Sequence, residues 1–255
     1  MKNVLSFRKR REIAKKPLVY LAIPAGDNRV TVSIACGLSD AGLLTASPNH
    51  KWAYAPFMPS GVHPVALARN QCMEVFLNDD RAEKLFFIDA DMGMPTYWWK
   101  LLDHDAPLVS GITFGWQAER RADSFNPYSE PGCVPVAYTW DETKKKFVTT
   151  VPEYKDRPFM CDGVGAACLI IDKKFAKSLT FPWFKTLHEP NGRVEVGEDL
   201  YMMRQARERG VRVLVDPRYA FGHWKDANVM DIANYGMACR DVGARIRKEA
   251  GHGAS

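Results

Sequence analysis

The sequence predicts an α/β domain whose central sheet is mostly parallel and flanked by helices. Three short apolar runs, at 18–24, 52–57 and 84–88, have the length and composition of strands, the first and last of them buried. The stretches between them, about 28–43 and 62–78, carry apolar residues at helical spacing. Because strands that alternate with helices form βαβ units, these runs indicate a parallel sheet.

The remaining elements continue this alternation after residue 95. A helix that begins at Gly197 is expected to stop at Gly210, since glycine commonly ends helices. The other predicted elements are a helix near 96–103, a strand at 108–114, a strand at 165–171, a short helix at 173–179 and a strand at 211–215.

Two segments depart from the alternating pattern. Residues 116–160 are rich in proline and charged residues. Within this segment, 134–140 and 147–151 flank a polar turn, which predicts a small hairpin. We expect the segment to form a mobile insertion on the substrate side. Residues 231–249 place apolar side chains every three or four positions, which indicates a C-terminal helix packed on the body; a homodimer contact is the alternative. We interpret 1–255 as one domain with a basic N-terminal extension over about 1–16.

Composition excludes several function classes. The 255 residues carry a net charge of +5, which is too mild for a dedicated nucleic-acid-binding domain. No apolar run is long enough to cross a bilayer, and no signal-peptide core follows the basic start. The six cysteines form no CxxC pair, which argues against zinc or dithiol chemistry and favours a reduced, cytoplasmic protein.

Two carboxylates, Asp89 and Asp91, follow the apolar run Phe86–Ile88 directly. In parallel sheets, functional residues lie beyond the carboxyl ends of strands. Acids next to a buried strand incur a desolvation cost, and a bound cation is one compensation for it. Alone, an Asp-x-Asp pair is more often a polar turn, so its interpretation depends on the other candidate residues.

Three further features supply chemistry, each with a structural alternative. Arg69 on the second helix suits anion recognition, or is a surface arginine. Glu198 and Asp199 open a helix, where they act as a general base or simply complement the helix dipole. His223 is a structural histidine or, beside carboxylates that hold a metal, a further ligand.

Taken in order, these motifs resemble the GT-A glycosyltransferases, especially their family-2-like branch. The resemblance covers about 18–224 and includes Ile23-Pro24, Ala68-Arg69-Asn70, Asp89-Ala90-Asp91 as the DxD motif, Asp162-Gly163-Val164-Gly165, Glu198-Asp199 as the xED motif, and the late His223. It implies a Rossmann-like GT-A fold. It also implies metal-dependent sugar transfer from a nucleotide-sugar donor with Mn²⁺ or Mg²⁺, with inversion if Asp199 is the base.

The resemblance also implies residue roles. Asp91 and His223 are expected to bind the metal, with Asp89 on the ribose or metal side and Asp199 as the catalytic base. Glu198 is expected to orient the base or the acceptor. The residues expected to contact the donor or the acceptor are Pro24, Ala25, Arg69, Ala90, Asp162 and Gly163.

The sequence leaves several alternatives open. A nucleotidyltransferase needs a glycine-rich basic loop after the first strand, of which 25–29 is a poor version. A metal-dependent phosphohydrolase and a non-catalytic carbohydrate- or nucleic-acid-binding protein are further alternatives. Residues 59–61 stand where the family often has an acidic residue that recognises the nucleotide base, so the identity of that base stays open. The donor sugar and the acceptor (a saccharide, lipid-linked sugar, protein or modified nucleic acid) also stay open.

Overall fold

The computed structural model describes residues 13, 15–117, 132–150 and 156–224, and only the backbone at 116–117 and 132–134. Its first half follows the predicted alternation closely. These elements are β1 (Leu18–Ala22), α1 (Val32–Ala46), β2 (Ala53–Phe57), α2 (Val65–Asn78) and β3 (Ala82–Ile88). Helix α1 begins later than predicted because the Thr31 side chain caps it, accepting a hydrogen bond from the Ile34 amide at 3.2 Å.

In the second half, the described residues form mostly short strands, one 3₁₀ helix and two α-helices. They are β4 (Met92–Gly93), a 3₁₀ helix (Trp98–Asp103), β5 (Leu108–Gln117), β6 (Gly132–Pro135), β7 (Ala137–Asp141), β8 (Lys146–Thr149), β9 (Phe159–Cys161), β10 (Gly163–Val164), β11 (Cys168–Asp172), α3 (Lys173–Ala176), β12 (Leu187–His188), β13 (Val194–Val196), α4 (Glu198–Glu208) and β14 (Val213–His223). The predicted hairpin is confirmed, since β7 pairs antiparallel with β8 and Asp141 lies opposite Lys146.

Within the described ranges the central sheet has nine strands, with the order β2-β1-β3-β11-β5-β14-β4 and with β6 and β9 paired to β5 and β14. Strands β2, β1, β3, β5 and β14 run in one direction, because β11 is antiparallel to both β3 and β5. The α/β class with a mostly parallel core is therefore confirmed. The carboxyl ends of β1, β3, β5 and β14 meet the amino end of β11 at one edge, called here the site edge.

The core explains why β3 ends in the uninterrupted apolar run 85–88. Phe87 packs on one face of the sheet with Phe76 and Met203, whereas Phe86 packs on the other face with Ile34 and Trp98. Both faces of β3 are thus covered by helices, so the strand needs no alternation of polar residues. The first charged side chain after it is Asp89, at the site edge.

Some predictions concern segments that the structure does not describe. The C-terminal helix over 231–249 and most of the N-terminal extension lie outside the described residues. Among the described helices, none combines the length and the apolar character needed to cross a bilayer.

Candidate active site

The loop after β3 is held by backbone hydrogen bonds from two neighbouring segments. The Asp89 amide donates to the Ala167 carbonyl at 3.2 Å, at the amino end of β11. Thr31 donates its amide to the Ala90 carbonyl at 3.1 Å and its hydroxyl to the Met92 carbonyl at 2.6 Å. The segment that follows β1 is thereby fixed against the aspartate loop, so the two predicted donor-side segments share one edge.

Asp91 and His223 are 132 positions apart in the sequence and adjacent in the structure. Strand β14 pairs with β4 so that His223 lies opposite Met92, and the Trp224 amide donates to the Asp91 carbonyl at 2.9 Å. The His223 Nε2 atom is 3.2 Å from Asp91 Oδ2. The short β4 strand therefore brings these two predicted ligands together.

The other nitrogen of His223 determines what this contact means. Its Nδ1 lies 3.0 Å from the Phe114 carbonyl oxygen, which can only accept, so Nδ1 carries the hydrogen and donates. In the neutral ring, Nε2 then presents a lone pair to a carboxylate oxygen. Two acceptors at this distance require a proton or a cation between them. An imidazole whose second nitrogen donates to a carbonyl is the usual arrangement of a metal-bound histidine.

Asp89 has a different partner, the buried guanidinium of Arg69. Arg69 Nη2 donates to Asp89 Oδ2 at 3.2 Å, and Nη1 lies 3.0 Å from Oδ1. That second contact is an ion pair without hydrogen-bond geometry, so Oδ1 is a buried oxygen without a hydrogen-bond donor among the described residues. The predicted metal-side role of Asp89 stays a prediction, since the structure pairs it with Arg69.

Arg69 also connects this loop to α4. Its Nε donates to Glu198 Oε1 at 3.4 Å, and Nη1 donates to the Ala166 carbonyl at the same distance. Its side chain is 4% exposed. Burial by itself would lower the pKa of Arg69, but the charges of Asp89 and Glu198 outweigh it and raise the pKa. The guanidinium is thus a permanent buried cation shared by the two acidic motifs, and its predicted contact with a nucleotide stays a prediction.

Asp199, beside Glu198 in the first turn of α4, is partly buried. Burial, the charge of Glu198 and, to a smaller degree, that of Asp89 raise the pKa of Asp199 to about 6, against the opposing effect of Arg69. The Leu200 amide donates to its Oδ1 at 2.7 Å. A carboxylate with a pKa just below neutrality is ionised at pH 7 and still takes up a proton readily, which suits a general base.

The remaining predicted residues have structural surroundings. Pro24 and Ala25 are buried, and the Ala25 amide donates to the Pro59 carbonyl at 3.2 Å. Asp162 accepts hydrogen bonds from the Trp140 amide at 2.8 Å and from Arg212 Nε at 2.9 Å, which braces the hairpin. These contacts are structural, and the predicted substrate contact of Asp162 stays a prediction.

Gly163 packs closely between the hairpin and α4. A Cβ atom at this position would lie 3.0 Å from Phe147 Cε1 and 3.4 Å from Met203 Cβ. Glycine is thus needed for this approach, and the packing holds the hairpin against the helix that carries Asp199.

The donor set fits a divalent cation only if a substrate completes it. In the described part of the chain, no group of three or more His, Cys, Asp or Glu side chains is arranged to hold a metal. Asp91 and His223 supply two ligand atoms, and hard divalent cations commonly take their remaining ligands from water and substrate phosphates. Sequence reasoning missed Phe114, whose backbone carbonyl sets the histidine tautomer. Phe114 lies at the carboxyl end of the strand predicted at 108–114, and that position was the sequence signal that could have placed it at the site edge.

Comparison with known proteins gives structural likenesses only. No family model and no curated protein matches the sequence. The solved structure of A197 from STIV aligns at 16% identity over 82% of this chain and 86% of its own, with a TM-score of 0.49. GalNAc-T7 with UDP, GalNAc and Mn²⁺ aligns at 12% identity over 89% of this chain and 48% of its own, with a TM-score of 0.43. The inositol-1-phosphate CTP transferase from T. maritima aligns at 13% identity over 87% and 95%, with a TM-score of 0.36.

Proposed function

We propose that the chain is a metal-dependent glycosyltransferase that moves a sugar from a nucleotide-diphosphate donor to an acceptor hydroxyl, with inversion. The observation that carries the proposal is the contact between Asp91 Oδ2 and His223 Nε2, with the histidine tautomer set by Phe114. Two converging acceptors of this kind favour a cation at the site edge, next to the loop that the family resemblance assigns to the diphosphate.

In this proposal Asp91 and His223 would hold the cation, which would supply positive charge to offset the charge that develops on the leaving diphosphate. Asp199 accepts the proton of the acceptor hydroxyl. The hydroxyl oxygen then bonds to the anomeric carbon while the carbon–oxygen bond to the diphosphate breaks, and the electron pair leaves with the nucleoside diphosphate. Attack from the side opposite the leaving group inverts the anomeric configuration.

Arg69 acts as a positioning residue in this scheme. It binds both Asp89, in the loop after β3, and Glu198, in the first turn of α4, so these two segments are held in a fixed position relative to one another. Because its charge also opposes the rise in the pKa of Asp199, it helps to keep that carboxyl ionised near neutral pH.

The experiment is a screen of nucleotide-sugars with Mn²⁺ or Mg²⁺, in which nucleotide release and thermal stabilisation are measured. The variants Asp91→Asn and His223→Ala should each abolish metal-dependent nucleotide release while remaining folded. Asp199→Asn should retain donor binding and lose transfer. Asp40→Asn, on an exposed position of α1, is the matched control and should behave as the parent.

The products distinguish the alternatives. Release of nucleoside diphosphate together with a glycosylated acceptor supports sugar transfer, whereas conversion of the nucleotide-sugar and added pyrophosphate to nucleoside triphosphate and sugar 1-phosphate indicates nucleotidyl transfer. Phosphate or nucleotide released without any acceptor product indicates a hydrolase. Full metal-dependent activity in Asp91→Asn would refute the assignment of the metal site, and binding without turnover would favour a non-catalytic protein.

A further inference from the structure

A cavity of about 340 Å³ lies where the hairpin β7–β8 packs against α4. This volume is within the range of small-molecule sites. None of its lining residues belongs to the Asp91–His223 pair or to the ion-paired group formed by Arg69, Asp89 and Glu198. The lining residues are Trp140, Lys145, Glu195, Arg204, Arg207 and Glu208.

The two elements that form the walls of the cavity, β7 and α4, also contain residues near Asp199. The pKa of Tyr138 in β7 is raised by its burial and then by the charge of Asp199, so the strand passes within the field of that carboxylate. Trp140 lies two residues further along the strand, which is about 7 Å. On the other wall, Arg204 follows Asp199 by five helical residues, which is about 7.5 Å along the axis. Because Arg204 also lies about 140° around the helix from Asp199, a ligand in the cavity would reach the proposed base by extending along β7.

The chemistry of the walls favours an anion. Arg207 and Arg204 lie over the indole of Trp140, with their guanidinium carbons 4.7 Å and 5.9 Å from the ring centroid. Arg204 Nε is buried and has no hydrogen-bond partner within the described ranges. Together with Lys145, the walls carry three cations against two acids, Glu195 and Glu208, and Arg204 Nη2 lies 3.6 Å from Glu195 Oε1.

A carboxylate of the chain already uses part of this site. Glu142, in the hairpin turn, accepts hydrogen bonds from Arg207 and, at 3.1 Å, from Lys145, while its side chain is 65% exposed. An exposed ion pair is weak and readily exchanged. Glu142 thus shows that an anionic group fits between these two cations, and it is placed where a ligand would displace it.

We propose that this cavity is an acceptor subsite that receives an anionic group, a phosphate or a carboxylate, on the acceptor whose hydroxyl reaches Asp199. The inference rests on the proposed function for its acceptor role. It limits the acceptor to an anionic saccharide or a similar small polar molecule, and it assigns the recognition to Arg204, Arg207 and Lys145.

The test is isothermal titration of the full chain, without nucleotide-sugar, with glucose 6-phosphate, glucuronate, inorganic phosphate and glucose. We expect the anionic ligands to bind and glucose to bind much more weakly. Arg204→Gln and Arg207→Gln should each weaken binding about tenfold or more, since each removes a charge-assisted hydrogen bond. Glu142→Gln should tighten binding, because it frees Arg207 and Lys145.

The control is Arg81→Gln, which removes the same charge from an exposed position just before the amino end of β3. Equal binding by all variants, or no binding by any anion, would overturn the subsite, even if Asp91→Asn still abolished nucleotide release. Anion binding that follows the arginine variants in a chain that turns over no nucleotide-sugar would instead overturn the proposed function and, with it, the acceptor role. Comparison of the phosphate and carboxylate ligands identifies which group the site prefers.

Discussion

Replacement of Asp199 by asparagine should stabilise the protein near neutral pH, although it removes the proposed base. The folded state raises the pKa of this carboxyl from 3.8 to about 6. Because the unfolded chain releases the proton more readily, the ionised group destabilises the fold at any pH above both values. A difference of about 2 pKa units corresponds to about 3 kcal/mol. Asparagine carries no charge and can still accept the hydrogen bond from Leu200.

The pH dependence separates this effect from other consequences of the substitution. The destabilisation decreases as the pH falls through about 6 to 4 and amounts to less than about 1 kcal/mol at pH 4. Asp199→Asn should therefore unfold about 6–12 °C higher than the parent at pH 8 and almost equally at pH 4. The assay is thermal unfolding followed by circular dichroism, with Asp40→Asn as control. An unchanged or lowered melting temperature at pH 8 would refute a desolvated carboxylate at this position.

Two substitutions test the buried supports of the site by denaturant unfolding. Arg69→Met should lower the free energy of unfolding by about 2–4 kcal/mol, because it leaves the partly exposed Asp89 and Glu198 without their buried cation. Arg69→Lys should recover only part of this loss. An unchanged free energy of unfolding in Arg69→Met would contradict the bridging role. Gly111→Ala should cost about 1–3 kcal/mol, since its Cβ would lie 2.5 Å from the Tyr219 carbonyl oxygen. Gly42→Ala, which meets nothing within 4 Å, is the matched control and should not destabilise.

The position of the acids could be predicted because it follows from local physics. An apolar run long enough for one strand, buried on both faces, must end before the first charged side chain, and Asp89 follows Ile88 directly. The direction of β11 could not be predicted in this way. Cys168–Asp172 is a short buried run, and such a run has the same composition whichever way it points. Its direction depends on where the hairpin returns the chain to the sheet.

The partners of the charged residues show a second limit. A guanidinium binds carboxylates and phosphates with the same planar geometry, so the sequence of α2 could not distinguish a nucleotide contact from the observed pairs with Asp89 and Glu198. The tautomer of His223 depends on a carbonyl 109 residues away, on a different strand. Neither contact leaves a local pattern, because both arise only when strands from distant segments meet at one edge.

Burial, and after it the charge of Glu198, explains why Asp199 has a raised pKa in the cluster around Arg69. Asp89 and Glu198 each form an ion pair with the buried guanidinium of Arg69. Asp199 is the third acid in the same cluster, and its own hydrogen bond comes from a backbone amide. Its burial and the neighbouring charge of Glu198 together shift its pKa to about 6, against the opposing charge of Arg69. A buried acid beside a second acid thus becomes a carboxyl group that can accept and release a proton near neutral pH, which is the property that a general base requires.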